Sequence, residues 1–214
     1  MTEPDRRLTS QGIERKQQLL DAAAHLFADR GYAQTRILDI CREAGVAKGL
    51  FYWYFDTKEE VFRDLAADLR LRLRREQRRA MDPHADPLVR LRQGSEASVR
   101  FMAAHSRSFS LLAVENVDRQ FVDDIRRGTE VHADDTQRLV KDGIEAGLIR
   151  DEDPRLLAYS VLITVGWFAH FNRTGRLGLD VDDLAAFVGR HIVCSLASSE
   201  KVVRRTLAAP AFTG

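Results

Sequence analysis

The chain has 214 residues and a mass of 24.3 kDa, with 44% hydrophobic and 30% charged residues and a formal charge of +1. That is an ordinary globular composition, long enough for one large domain or two small ones with a buried core. Two cysteines, Cys41 and Cys194, exclude a disulfide-dense scaffold and offer no four-ligand zinc site.

Residues 1–12 have no apolar period and read as a loose tail, too polar for a signal peptide. From Gln17 a helical period runs through Leu19, Leu20, Ala23, Leu26 and Phe27, and Gly31 ends it. A second, short helix starts at Thr35 as N-cap and carries Ile37, Ile40, Cys41 and Ala44 on one face. Gly45 breaks it, and a third helix reaches about Phe55. The fourth opens at Asp56-Thr57, with Thr57 and Glu60 in a capping box, and runs to about Arg79.

The segment 81–87, with two prolines, is the clearest break in composition. Beyond it helices are expected at about 88–104, 106–116, 120–147, 155–172 and 181–206. The uncharged run 156–172 contains Tyr159, Ser160, Thr164 and His170, so it reads as a buried helix and not as a membrane span. No stretch alternates with period two. The fold class is all-α with eight or nine helices, and the protein is expected in the cytosol.

Sixteen basic against thirteen acidic residues in 1–80, and seventeen against nineteen beyond, tilt positive charge toward the N-terminal part. The second and third helices, joined by a tight turn at Ala44-Gly45-Val46, form a helix-turn-helix over about 36–55. Phe51 and Phe55, four apart, can share a core. Tyr52, Trp53 and Tyr54 cannot all join them: either their polar tips meet phosphates and bases, or they stack on a neighbouring helix or subunit.

Residues Leu19 to Glu59, including Ala22-Ala23, Leu26-Phe27, Gly31-Tyr32, Thr35, Ile37, Asp39-Ile40, Glu43-Ala44-Gly45-Val46, Lys48-Gly49, Phe51-Tyr52, Tyr54-Phe55 and Lys58-Glu59, closely resemble the DNA-binding domain of the tetracycline-repressor (TetR) family. The resemblance covers about 12–72 and implies a domain there, followed by a helical regulatory and dimerisation domain over 81–214. It implies a homodimeric repressor released from a palindromic DNA operator by a small apolar or amphipathic effector, with no cofactor, metal or membrane. Thr35 would cap its helix and touch a phosphate. Lys48, Gly49 and Leu50 would line the major-groove face. Tyr52, Trp53 and Tyr54 would meet bases or backbone, Arg36 would add a phosphate contact, and Lys58 would hold a phosphate at a helix N-terminus. Ala47, Leu50 and Arg36 depart from the family's usual Ser/Thr, Thr and Thr, the phosphate contact of Arg36 being this chain's own addition, and the departures blur which bases are read.

For the second domain, Phe101, Met102, His105, Phe109, Asn116, Phe121, Trp167, Phe168, His170 and Phe171 are the candidate effector lining; core packing is the competing reading of each. Leu184, Phe187, Val188, His191, Ile192 and Leu196 form a stripe suited to a dimer interface, together with the apolar helix 155–172. The arginines at 70, 72, 74, 75, 78 and 79 spread around their helix and read as a solvated face, as do Glu130, His132, Asp134 and Asp135. No motif of an enzyme is found. Two alternatives remain: a regulator of the same fold answering to a protein partner, or a helical enzyme or scaffold that kept the fold.

Overall fold

In the computed structural model, residues 10–111, 121–210 and 212 are described, and among them the chain forms ten α-helices and no strand. They are α1 (Ser10–Arg30), α2 (Ile37–Glu43), α3 (Lys48–Tyr54), α4 (Lys58–Ala80), α5 (Pro87–Ala104), α6 (Ser106–Leu111), α7 (Val122–Glu145), α8 (Pro154–Arg173), α9 (Val181–Leu196) and α10 (Glu200–Ala208). Two compact units result: residues up to Leu69 with 107–125, and residues 70–106 with 126–214. Phe121, beyond the expected boundary at 81, packs in the first unit's core. No helix among the described residues is long and apolar enough to cross a membrane.

The first unit packs α1, α2, α3 and the start of α4 around Leu19, Leu26, Phe27, Ile40, Phe51, Phe55 and Val61, all at most 3% exposed. Phe121 stacks on Phe62 at 4.1 Å and meets Tyr32 edge-on at 4.9 Å. Lys16 pairs with Asp64 and His25 with Glu43, tying α1 to α4 and to α2. Thr57 accepts the Glu60 N–H as expected, while the Glu60 carboxylate accepts from Asp56 and not from Thr57.

The second unit is built on α5, α8 and α9, whose shared core includes Leu88, Val99, Val161, Leu184, Val188 and Ile192. Three of its helices start on an aspartate whose side chain accepts first-turn N–H groups: Asp86, Asp153 and Asp180. Proline follows two of them at N1, where its missing N–H costs nothing. The Glu96 side chain of α5 lies against Gly189 of α9, where an added Cβ would come within 2.5 Å of Glu96 Oε1.

The expected single helix over 181–206 is two. Ala197 ends α9 and Ser199 caps α10, because the intervening backbone bridges to the turn after α7. Arg150 donates to the Leu196 carbonyl and Ser198 N–H to Leu148, both at 2.9 Å. Arg92, only 8% exposed, then closes the far end of α10, donating through Nη2 to the Ala209 carbonyl at 2.8 Å. Replacing Arg92 with Met leaves that helix end without its donor. The expected loss is roughly 1–3 kcal/mol in urea unfolding followed by circular dichroism, with faster amide exchange across α10.

Candidate nucleic-acid interface and effector cavity

The turn between α2 and α3 is set by backbone chemistry. Gly45 adopts φ +65°, a region costly for any residue with a Cβ. That geometry lets Gly45 N–H reach the Arg42 carbonyl and Val46 N–H reach Cys41, a complete Schellman closure of α2. The chain then re-enters a helix at Lys48 with no side-chain cap at Ala47.

On α3, Phe51 and Phe55 are buried, as their spacing predicts. Lys48, Gly49, Tyr52 and Trp53 share the outward side; Tyr52 and Trp53 are each 47% exposed. The Lys48 ammonium lies 5.6 Å from the Tyr52 ring centroid, and the Trp53 ring meets Tyr54 edge-on at 4.5 Å. A Cβ added at Gly49 would meet nothing within 4 Å. Leu50 is half-buried, and Tyr54 is packed against the core. Arg36 is exposed and is the N-cap of α2; its N–H donates to Asp39. A positive, partly aromatic face with bare backbone at its centre results.

Two expected contact residues face inward. Thr35 is 2% exposed and its hydroxyl donates to the Gly31 carbonyl at 2.9 Å. It neither caps α2 nor reaches the surface, because the turn after Gly31 needs its hydroxyl. Lys58 donates to the carbonyls of Tyr32 and Thr35 at 2.8 and 2.9 Å, with its ammonium 4.2 Å from the Tyr32 ring centroid. It is a positioning residue for the α1–α2 turn and not a surface cation.

The second unit holds a half-open cavity of about 320 Å³ among α4, α5, α7 and α8. Its apolar wall includes Leu91, Met102, Leu139, Val161, Leu162 and Val165. Its polar side carries Arg74, Arg78, Arg90, Arg138, Asp135 and His132. Gln77 donates to Ser98 Oγ at 2.7 Å and lies 3.3 Å from His132 Nε2. Burial pushes the His132 imidazole below its ordinary pKa, which keeps it neutral at pH 7. The arginines and acidic residues here were expected on solvated faces; instead α4 and α7 turn part of each set inward.

Of the candidate lining residues that are described, only Met102 lines this cavity. Phe101 and His105 stack on each other beside an open groove between α4 and α5. Phe121 is in the other unit's core, and Asn116 lies outside the described residues. Phe109 is half-buried in α6. Trp167 is 50% exposed and packs on His170 and Phe171, while Phe168 meets Phe187 at 5.3 Å. These rings lie outside this cavity; aromatic content alone cannot tell an outward helix face from a cavity wall.

The α9 stripe is likewise divided. Leu184, Val188, Ile192 and Leu196 are at most 1% exposed in the unit's own core. Phe187 and His191 point outward and stack at 6.1 Å. They adjoin α8, whose Leu156, Ile163 and Trp167 are 70%, 55% and 50% exposed.

A helix-turn-helix with an outward, basic and aromatic third helix, followed by a second helical unit, is the architecture of a DNA-binding protein. Residues 19–65 match the family described as bacterial regulatory proteins, tetR family, and residues 84–194 match its tetracyclin repressor-like C-terminal domain. The chain belongs to the TetR family and is a DNA-binding transcriptional regulator. It is 26% identical over 156 residues to the uncharacterized HTH-type transcriptional regulator YhgD of Bacillus subtilis, covering 70% of this chain and 80% of YhgD. YdgC of the same organism is 37% identical over 68 residues, which are 32% of this chain and 35% of YdgC. Among solved structures, the fatty acid degradation regulator FadR from Bacillus halodurans superposes with a TM-score of 0.76 at 23% identity, over 84% of this chain and 94% of that one.

Lys58→Met tests the inward role. Loss of two charge-assisted bonds should cost roughly 1.5–3 kcal/mol in the unfolding of the first unit, read by urea titration. A surface cation would leave that unfolding unchanged.

Proposed function

We propose that this regulator binds a palindromic operator as a homodimer and is a repressor that a small molecule releases. The observation that carries the DNA reading is the outward face of α3, where Lys48, Gly49, Tyr52 and Trp53 are left uncovered by the unit's own packing. Lys48 and Tyr52 read base edges in the major groove, Leu50 reaches a thymine methyl, and Trp53 and Tyr54 lie along the backbone. Arg36, at the N-terminus of α2, holds a phosphate, where the helix end adds its own partial positive charge. The protein acts by binding and not by catalysis, on DNA in the cytoplasm, and no cofactor enters this reading.

The cavity of the second unit is the effector site. One helix, α4, carries Lys58 at its start and Arg74, Gln77 and Arg78 on the cavity wall. A ligand that binds the DNA-incompetent arrangement more tightly shifts the population by its differential affinity alone. The exposed apolar face of Leu156, Ile163, Trp167 and Phe187 is the surface on which a second copy closes about a two-fold axis.

Fluorescence anisotropy with DNA from upstream of the chain's own gene tests the contacts. Arg36→Ala should weaken binding to all sequences and make the salt slope shallower by about one. Lys48→Ala should relax discrimination at particular base pairs by roughly 1–3 kcal/mol. Unchanged affinity and salt dependence in both variants would reject this docking.

For the dimer, Ile163→Glu should yield folded monomers in sedimentation, with operator binding lost. A wild-type monomer at micromolar concentration would sink the interface, and the palindrome with it.

A further inference from the structure

The cavity's own chemistry goes further than its existence, on the reading that it is the effector site: we infer that it takes an amphiphilic anion, an aliphatic body with an oxyanion head. The charges around it do not cancel. Arg74 and Arg138 both pair with Asp135. Arg78 and Arg90 also line the space, and among the described residues neither has a carboxylate within ion-pair distance. Arg90 is half-buried, and its Nε–H is buried without an acceptor. A buried donor left open is unfavourable until something accepts from it. A planar guanidinium offers paired donors that match a carboxylate or phosphate in two places at once.

The opposite wall fixes the rest of the ligand. Leu91, Met102, Leu139, Val161, Leu162 and Val165 are all aliphatic or thioether side chains. Among the described residues no phenyl, phenol or indole ring lines the space, and the one ring there, the His132 imidazole, is on the polar side, so the apolar wall offers a flat ligand no ring to stack on. The thioether and branched chains adapt instead to a flexible hydrocarbon. The volume of about 320 Å³ falls at the lower end of the roughly 300–1,000 Å³ typical of small-molecule sites, which suits a short chain. Asp142 sits at the exposed margin and disfavours a second negative charge there, so the anion belongs on the Arg78–Arg90 side.

The test is a matched series of eight-carbon probes, octanoate, octyl phosphate, octanol and octylamine, titrated calorimetrically into the full-length protein. Octanoate or octyl phosphate should bind saturably at one per chain, at least tenfold more tightly than octanol or octylamine. The tighter of the two anions identifies the headgroup. Arg90→Gln and Arg78→Gln should each weaken the anion at least tenfold while leaving octanol unchanged, which also shows that the variants are folded. Arg204→Gln, at a paired arginine on exposed α10, should change nothing. If octanol or octylamine binds as tightly as the anions, or both cavity variants keep anion affinity within twofold, the anion inference is overturned. The cavity reading then still stands if Leu162→Trp, which fills the space, abolishes binding of every probe. Binding that survives Leu162→Trp, or no binding by any probe at millimolar concentration, overturns both.

Discussion

One ammonium holds the DNA-binding unit together at its most exposed joint. The chain leaves α1 at Gly31 and must start α2 at Ile37, and the carbonyls of that turn have no helix partner. Lys58, at the first position of α4, supplies donors to two of them, Tyr32 and Thr35. Thr35 turns inward to serve a third, at Gly31. Tyr32, pinned beneath the ammonium, is packed in turn against Phe27, Phe62 and Phe121. The start of α2 is thus set by side chains from α4, and the Gly45 closure passes that placement on to α3. What α3 presents outward depends on a bond made 26 residues away from Tyr32 along the chain.

The second unit solves a different problem, burying arginine. Arg92, Glu96 and Arg100 follow one another at one-turn spacing on α5. Glu96, against Gly189 of α9, lies 3.9 Å from Arg92 and 3.8 Å from Arg100. Burial raises the Glu96 pKa, and the guanidinium groups of Arg92, Arg100 and Arg190 offset that only in part. Arg100 reaches on to Asp182 at 2.6 Å, and Arg92 to the end of α10. Arg92 is buried and Glu96 half-buried, and each is given several partners, while Arg100 stays exposed. The arginines of the cavity are treated unequally, with two held on one aspartate and two left open, and that inequality gives the space its chemical character.

Much of this was legible in the amino-acid order because it is local. The apolar period of α1, the break at Gly45, the aspartate–proline starts and the burial of Phe51 and Phe55 follow from neighbours three or four residues apart. The misreadings share one cause, which is that they turn on what lies across space. Thr35 and Lys58 look like surface polar groups until the carbonyls of the turn are placed beside them. Nothing in Ala197-Ser198-Ser199 marks a helix break; the bridge to residues 148–150 makes it. Helix α9 is apolar on two sides, and its own sequence cannot say that Leu184, Val188 and Ile192 go to α5 while Phe187 stays outside. Arg74 and Arg78, one turn apart, were hidden among other arginines on the same helix, and only α5, α7 and α8 show which of them face inward.

Gly49 carries a consequence of its own. It is the second residue of α3, where glycine is at most about 1 kcal/mol less favourable than alanine, and here a methyl group would meet nothing of the protein itself. The fold would therefore gain from an alanine, and intramolecular packing supplies no reason for its absence. Any constraint on that position comes from whatever approaches from outside. The same independence makes the exposed side of α3 a separable module for engineering: new operator preferences can be selected at Lys48, Gly49 and Tyr52 without disturbing the core that carries them.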